Sequence, residues 1–477
     1  MKTKYFLIGL LIVTLSLSCS EQLDINTNPL SATSADPNTV LPYVIVQYSN
    51  RKITEVGTRM VDVWQNTAHA SNSPKADGGI ARGPLSGNMW AMYYTLALSN
   101  LKQLELEAQQ KNGFDNVRAI SIVLQGQIFY ELTSLWENVP FSESLNAIEF
   151  PNPKFDSQED VLFGIVDMMD NAISIIDKAP TSGLFNVSTG DLIYGGNLTK
   201  WKAFANSIKI RVLMMIRNVD PSVNTLLVDA LSKPYISKNS DCPMIKYAGT
   251  TGALNGYKNL VVAFGNGSNI GTDEWGPSST LVSLLQNDPR RDLWLVDGSS
   301  GGFQTQQIGF YPDETTTRMG DNLIRGNLPD VLFQPAEITF YRAELAALGV
   351  INEDENALYL EGIKQAIEFW GKDIPGKILS LTDQQITDFL NQTTKLTGLP
   401  VQDQLELIYQ QTYLTHFWWP IESWNTVRRT GVPTLEPVPG SVMSTMLRRL
   451  PWANAELAAN PNTPKEPALD LPMWFEN

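Results

Sequence analysis

The chain has 477 residues and a formal net charge of −15 at pH 7, from 35 Lys and Arg against 50 Asp and Glu. Its 43% hydrophobic residues suffice for a large buried core, which excludes a disordered chain, and its acidity argues against nucleic acid, because phosphate binding needs a basic footprint. Two His and two Cys nearly exclude zinc fingers, His-rich metal centres, haem attachment and a disulfide scaffold, so no cofactor and no metal is predicted.

Residues 1–18 read as a signal peptide. Lys2 and Lys4 precede an apolar run from Phe6 to Leu17, which is short of the roughly 20 residues that span a bilayer. The run ends in Leu15-Ser16-Leu17-Ser18-Cys19, which resembles a bacterial lipobox, with Ser16 where the pattern prefers Leu. Cys19 is therefore predicted to be the lipidated N-terminus of the mature chain, held to a membrane by acyl burial alone. The alternative is an ordinary signal peptide with an incidental cysteine. Loss of Lys2 and Lys4 takes the net charge to −17. Residues 19–39 are polar, contain Pro29 and Pro37, and read as a lipidated tether. Cys242 then has no intramolecular cysteine partner and reads as a small buried hydrophobe.

The remainder, 40–477, reads as one mainly α domain. Ile120, Leu124, Ile128, Leu132 and Leu135 recur at helical spacing, as do Leu162, Ile165, Met169, Ala172 and Ile176, with Ser157 and Asp160 as a capping start and Pro180 beyond the end. Trp201, Phe204, Ile208, Val212 and Met215 form a third stripe. A fourth holds Ile338, Tyr341, Leu345 and Leu348, opened by Pro335 and closed by Gly349. A fifth carries Tyr359, Ile363, Ala366, Ile367 and Trp370, capped by Asn352 with Glu355 and stopped by Gly371. The last two make a helix–turn–helix of tetratricopeptide length that must stack on neighbours to bury its apolar faces. The helical scaffold is expected over 40–248 and 331–477. Between them, residues 249–330 hold 13 of the 33 glycines and read as a loop-rich insertion. Gln65 to Asn88 and residues 431–440 are further loops.

No HExxH, P-loop or strand-linked GxGxxG is present, and no carboxylate pair stands out among 50 acidic residues, so no catalytic residue is nominated. Aromatic residues beside polar loops are the stronger signal. A sugar ring offers an apolar C–H face and a rim of hydroxyls, which suits a flat aromatic face flanked by amide and carboxylate side chains. Trp64, His69, Asn72 and Trp90 bracket the first loop; Tyr257, Trp275, Phe303 and Tyr311 lie along the second, with Phe264, Trp294 and Phe310 nearby. The first eight are the predicted ligand-binding residues. The competing reading is that such aromatics anchor loops to the core. Trp136, Trp201 and Trp370 fall on helical stripes, and Trp418, Trp419 and Trp424 look structural. Of the adjacent Arg428 and Arg429, one is expected to pair with a core carboxylate or stack on a ring.

These segments together resemble the SusD/RagB family of nutrient-binding outer-membrane lipoproteins of Bacteroidetes, nearest its SusD-like branch. The resemblance rests on the lipobox followed by Leu23-Asp24-Ile25-Asn26-Thr27-Asn28-Pro29, and on Asp191-Leu192-Ile193-Tyr194-Gly195-Gly196-Asn197 running into Trp201 through Ser207 and Arg211. It rests also on Ala336-Glu337-Ile338 through Ala343-Glu344-Leu345-Ala346, and on Trp424 to Pro433 with Arg448-Arg449-Leu450-Pro451. Glu21 after Ser20 resembles the acidic surface-export signal of Bacteroidetes lipoproteins; Asn197 stands where the family often has Asp. The resemblance implies a superhelix of four tetratricopeptide-like helix pairs carrying a loop-rich ligand-binding subdomain. It also implies a lipid-anchored protein on the outside of the outer membrane, without enzymatic activity, that captures oligosaccharides and delivers them to a SusC-like TonB-dependent barrel. An oligopeptide-binding subunit of the same kind of complex is the alternative. A surface hydrolase and a structural adaptor of the barrel are the competing classes.

Overall fold

The computed structural model describes residues 36–54, 67–69, 83–259, 275–299, 301, 317–435 and 445–477. The architecture is mainly helical. α1 (Pro37–Thr54) is followed by α2 (Gly83–Ala91), which runs through a π-helical stretch, Met92–Leu98, into α3 (Ser99–Gln109). Residues 37–39, assigned to the tether from sequence, instead form the first turn of α1, where the fixed φ of Pro37 suits a helix start. Next come α4 (Asp115–Trp136), α5 (Gln158–Lys178), α6 (Leu198–Val219) and the short α7 (Asn224–Leu231). The segment read as loop-rich contributes α8 (Ser279–Leu284) and α9 (Arg290–Trp294). α10 (Pro335–Ala347), α11 (Glu355–Glu368), α12 (Asp383–Gln392), α13 (Val401–His416), α14 (Pro420–Thr430) and α15 (Asn454–Ala459) follow among the described residues.

The helices pack as sequential neighbours: α3 on α4, α5 on α6, α10 on α11 and α13 on α14, with α4 also against α5 and α6, and α10 against α13. This is the tetratricopeptide-like arrangement expected. α4 is its axis. Every residue from Asn116 to Trp136 except Arg118 is buried, so the stripe read from sequence is only one face of a helix covered all round. The second and third stripes are buried as predicted; Ile176 is half-buried. Ser157 caps α5, its Oγ accepting the Asp160 N–H at 3.1 Å. The fifth stripe departs at both ends. Asp354, not Asn352, caps α11, accepting the Ala357 N–H at 2.8 Å. Gly371 does not stop the chain but lies in a π-helical turn, Phe369–Asp373, where a Cβ would meet the Leu381 side chain at 3.0 Å.

The Asp191 segment shows how sequence becomes local structure. The Asp191 carboxylate accepts the backbone N–H of Ile193, Tyr194 and Gly196 at 3.0, 3.1 and 2.7 Å, and the indole N–H of Trp201 at 2.7 Å. Gly195 and Gly196 take φ of +60° and +84°, which their missing Cβ allows. Asn197 then caps α6 by accepting the Lys200 N–H at 3.1 Å. Thus Trp201, on the buried face of α6, is tied to the turn that launches its own helix.

Among the described residues strands are few and short, in three antiparallel pairs: β1 (Thr67–His69) with β3 (Trp275–Pro277), β2 (Met244–Ile245) with β6 (Asp330–Val331), and β4 (Leu295–Val296) with β5 (Arg318–Met319). The first joins the two loop segments that sequence had singled out. The second closes the base of the insertion. Cys242 beside β2 is buried, and burial pushes its thiol well above the usual range, as a small core residue requires. Both arginines of the Arg428-Arg429 pair are committed. Arg428 stacks 3.8 Å over Trp424 and donates to the Ser134 carbonyl at 2.7 Å, while Arg429 makes a two-pronged pair with Glu344 at 2.8 Å on each side.

Candidate functional site

Where the end of α1, α4, β6 and the α13–α14 turn meet lies a cleft lined by Lys52, Glu131, Tyr257, Trp418, Trp419 and Glu422. Its aromatic wall comes from a sharp chain reversal. α13 ends at His416, and Phe417 turns into the core, 4.8 Å from the Trp294 ring. Trp418 takes φ of +77°, and Trp419 precedes Pro420, the first residue of α14. A left-handed backbone at a bulky residue costs of order 1–2 kcal/mol and persists only where its surroundings fix it. The reversal lets consecutive residues face different ways. Trp418 packs 4.7 Å from the Tyr257 ring and Trp419 lies 5.4 Å from Trp370, with both indoles lining the cleft.

The polar wall is ionic. Glu131 of α4 accepts hydrogen bonds from Tyr48, from Tyr93 at 2.8 Å and from the Gln127 amide at 3.1 Å. Lys52, in the last turn of α1, lies 3.6 Å from Glu131 and 3.0 Å from Asp330 of β6. Burial pulls the Lys52 ammonium down, but Asp330 and Glu131 outweigh it and hold it above its usual value. Burial and the Glu131 charge push the Tyr48 and Tyr93 hydroxyls well up, so both remain donors. This single lysine joins the helix leading into the first loop, the strand leaving the second and the central helix.

Behind the cleft lies a second buried cluster. Arg211 of α6 donates to both oxygens of Glu337 at 2.6 and 2.7 Å and approaches Glu422 at 3.2 Å. Its guanidinium stacks 4.3 Å from the Phe333 ring. Burial raises the Glu337 carboxyl, but Arg211 and then His416 overcome that and hold it down at about 2. Glu422, which takes a hydrogen bond from Tyr130 at 2.7 Å, is pushed the other way by burial and by the Glu337 charge. Arg211 and Glu337 belong to two different segments that carried the family resemblance; their pairing fastens α6 to α10. Glu337, His416 and Thr426 also form a hydrogen-bonded chain, with links of 3.0 and 2.9 Å, of the type that can activate a hydroxyl nucleophile. Here the Thr426 hydroxyl is buried and donates to the Glu422 carbonyl at 2.9 Å, so the chain ties α10, α13 and α14 together. Among the described residues no group of three or more His, Cys, Asp and Glu is placed to hold a metal ion.

The predicted site residues divide. Tyr257 borders the cleft but is itself buried, 4% exposed with its ring 4.7 Å from that of Trp418. His69 and Trp275 stand opposite each other in the β1–β3 register. Trp90 is a correction: it is 5% exposed, packed against Trp136, Phe155 and Trp452, with its indole N–H donating to Glu456 at 3.2 Å. Its ring is wanted by the aromatic core, not offered to a ligand. Trp294 is likewise fully buried. Trp64, Asn72, Phe303, Tyr311 and Cys19 lie outside the described residues. Trp418 and Trp419, read from sequence as structural, do pack on the rings of Tyr257 and Trp370, and they also border the cleft. Sequence reasoning missed Lys52, Glu131, Asp330 and Glu422, isolated charges that no spacing connects.

Comparisons with known proteins place this arrangement. A sequence search of curated proteins finds no match. Solved structures are similar throughout. A chitin-binding protein superposes with a TM-score of 0.74 at 20% identity, covering 90% of this chain and 95% of that one. A chitin-binding SusD homologue from Flavobacterium johnsoniae gives 0.73 at 18%, covering 92% and 98%. A SusD homologue from Bacteroides uniformis gives 0.73 at 18%, covering 92% and 99%. No helix among the described residues is long and apolar enough to cross a membrane. The model of the SusD-like family, described as starch-binding and associating with the outer membrane, matches residues 30–452, and the chain belongs to that family.

Proposed function

We propose that this protein is a non-catalytic, cell-surface glycan-binding subunit that captures oligosaccharides and passes them to a SusC-like TonB-dependent outer-membrane barrel. Family membership across nearly the whole chain carries this reading. The cleft, where Trp419 stands among ionic side chains, and the β1–β3 pairing, which sets His69 opposite Trp275 in register, support it. Cys19 is the lipid attachment point, and the acyl chains alone hold the protein at the outer membrane, facing outward. His69, Tyr257 and Trp275 join Trp64, Asn72, Phe303 and Tyr311 as the proposed ligand surface.

Titration calorimetry of the purified mature chain against neutral oligosaccharide and oligopeptide panels tests the reading. Binding confined to oligosaccharides is expected. Binding confined to peptides would replace the ligand class, and turnover of any bound sugar would overturn the non-catalytic assignment. Trp275→Ala should weaken binding by about 1–3 kcal/mol, the scale of a lost aromatic contact, with melting temperature unchanged. Palmitate labelling that survives Cys19→Ala would remove the anchor, and failure to co-purify a barrel from outer membranes would remove the partner.

A further inference from the structure

Glu337 and Glu422 compete for one guanidinium. Glu337 takes Arg211 with both oxygens, at 2.6 and 2.7 Å, whereas Glu422 reaches a single Arg211 nitrogen at 3.2 Å. Its other oxygen accepts the Tyr130 hydroxyl at 2.7 Å. Lys52 cannot settle the contest, because it is itself divided between Glu131 and Asp330, at 3.6 and 3.0 Å. Further along α14, Arg429 is taken by Glu344 and Arg428 stacks on Trp424. The groups facing Glu422 are thus Tyr130 and Glu131 of α4, Arg211 of α6, Glu337 and Tyr341 of α10 and His416 of α13, with Lys52 of α1 and Asp330 of β6 along the same cleft. Glu422 lines both the cleft and the hollow behind it. Its side chain is 13% exposed, against 1% for Arg211 and for Glu337, so of the three it is the one that water reaches. Where two carboxylates share a site, the less well paired one gains proton affinity.

We infer that Glu422 is a proton switch in the wall of the cleft: as pH falls it takes up one proton from solvent before ordinary carboxylates do, leaving Arg211 to Glu337, and as pH rises it ionises and shares Arg211 again. The inference holds for any class of ligand. Burial pushes the Glu422 carboxyl up; Arg211 pulls it back, and the Glu337 charge adds to burial. Protonation changes what the wall offers. Ionised, Glu422 only accepts hydrogen bonds; protonated, it brings one donor and one negative charge fewer beside the half-buried Trp419. A carboxyl whose folded-state value is raised makes folding favour the protonated form, so its contribution to stability falls as pH rises from about 4.5. Glu337, held down by Arg211, does the reverse.

The test is infrared difference spectroscopy and urea unfolding of the mature chain, its Glu422→Gln variant and its Glu337→Gln variant between about pH 4 and about pH 8, a span that covers ordinary carboxylates. Wild type should show a protonated-carboxyl band that persists to higher pH than the bulk of the chain's carboxyls, and Glu422→Gln should lack it. In Glu337→Gln, where Arg211 has no second claimant, the same band should disappear at lower pH than in wild type. The urea midpoint of wild type should fall relative to that of Glu422→Gln as pH rises. At about pH 8 the variant, uncharged and still able to accept from Tyr130, should be the more stable of the two. A band that Glu422→Gln leaves in place, or a midpoint difference that does not change with pH, overturns the inference. A band unmoved in Glu337→Gln overturns the competition for Arg211. If one variant does not fold, wild type against the other decides, and absence of any persistent protonated-carboxyl band in wild type overturns the inference without either.

Discussion

Arg211→Met is the most informative perturbation of the scaffold. Arg211 and Glu337 side chains are each 1% exposed, so neither can regain water without opening the core. Removing one partner of a buried pair leaves the other uncompensated, at about 3–5 kcal/mol. A second route gives a similar magnitude. The Glu337 carboxyl is held at about 2, against an ordinary 4.5, and that difference corresponds to about 3 kcal/mol. Glu337 would keep its hydrogen bonds from Tyr341 at 3.1 Å and with His416 at 3.0 Å, and Met replaces the aliphatic stem though not the guanidinium stacked on Phe333. The lower end, about 3 kcal/mol, is therefore expected. The assay is equilibrium urea unfolding followed by the fluorescence of the chain's 12 tryptophans. Combining Arg211→Met with Glu337→Leu should cost less than the two single losses together, by about 1–3 kcal/mol, because the orphaned charge disappears. A single-variant loss below about 1 kcal/mol, or strict additivity, would refute the view that this pair joins α6 to α10 through mutual neutralisation.

The same carboxylate makes a pH prediction. Its folded-state value is depressed, so its stabilisation is complete above the ordinary carboxylate range and fades as pH falls from about 4.5 toward about 2; in Glu337→Gln, acid unfolding curves should lack that component. Two buried helix glycines should respond differently to alanine. At Gly362 the new Cβ would meet ring carbons of Phe340 at 2.8 Å, so Gly362→Ala should lower stability by about 1–3 kcal/mol. At Gly126 it would meet only the mobile end of Met169 at 2.3 Å, so the helix gain of about 1 kcal/mol should offset the clash, leaving the urea midpoint nearly unchanged. Ser157→Ala removes the α5 cap and should cost about 1 kcal/mol by the same measurement.

Much of the scaffold was legible because helical periodicity is written locally. The stripe through Leu162 could be read because one face of α5 is apolar and the other is not; the stripe through Trp201 could be read from its spacing even though α6 is buried at every residue from Phe204 to Ile216. α4 was readable only in part. Burial on all sides erases the alternation that marks a face, and nothing near Gln127 or Glu131 in sequence announces the distant tyrosines and Lys52 that Glu131 meets. The candidate site was least legible for the same reason. Its walls come from α1, α4, β6 and the α13–α14 turn, and nothing in the spacing of Lys52, Glu131, Asp330 and Glu422 announces that they meet. Aromatic content near loops has an ambiguous meaning. Tyr257 reached the cleft, whereas Trp90 met Trp136, Phe155 and Trp452 first. The family segments escaped this limit, because Asp191 and Asn197 act within a few residues of themselves.

The β1–β3 ladder brings together positions from opposite halves of the chain, Thr67 opposite Pro277 and His69 opposite Trp275. Contacts so distant along the backbone form slowly, since a long loop must close before they contribute. Helices such as α4 and α5, adjacent in sequence, need no such closure. During refolding, helical circular dichroism should therefore recover well before the capacity to hold a ligand returns, and for that interval the population would consist of well-ordered molecules unable to recognise anything.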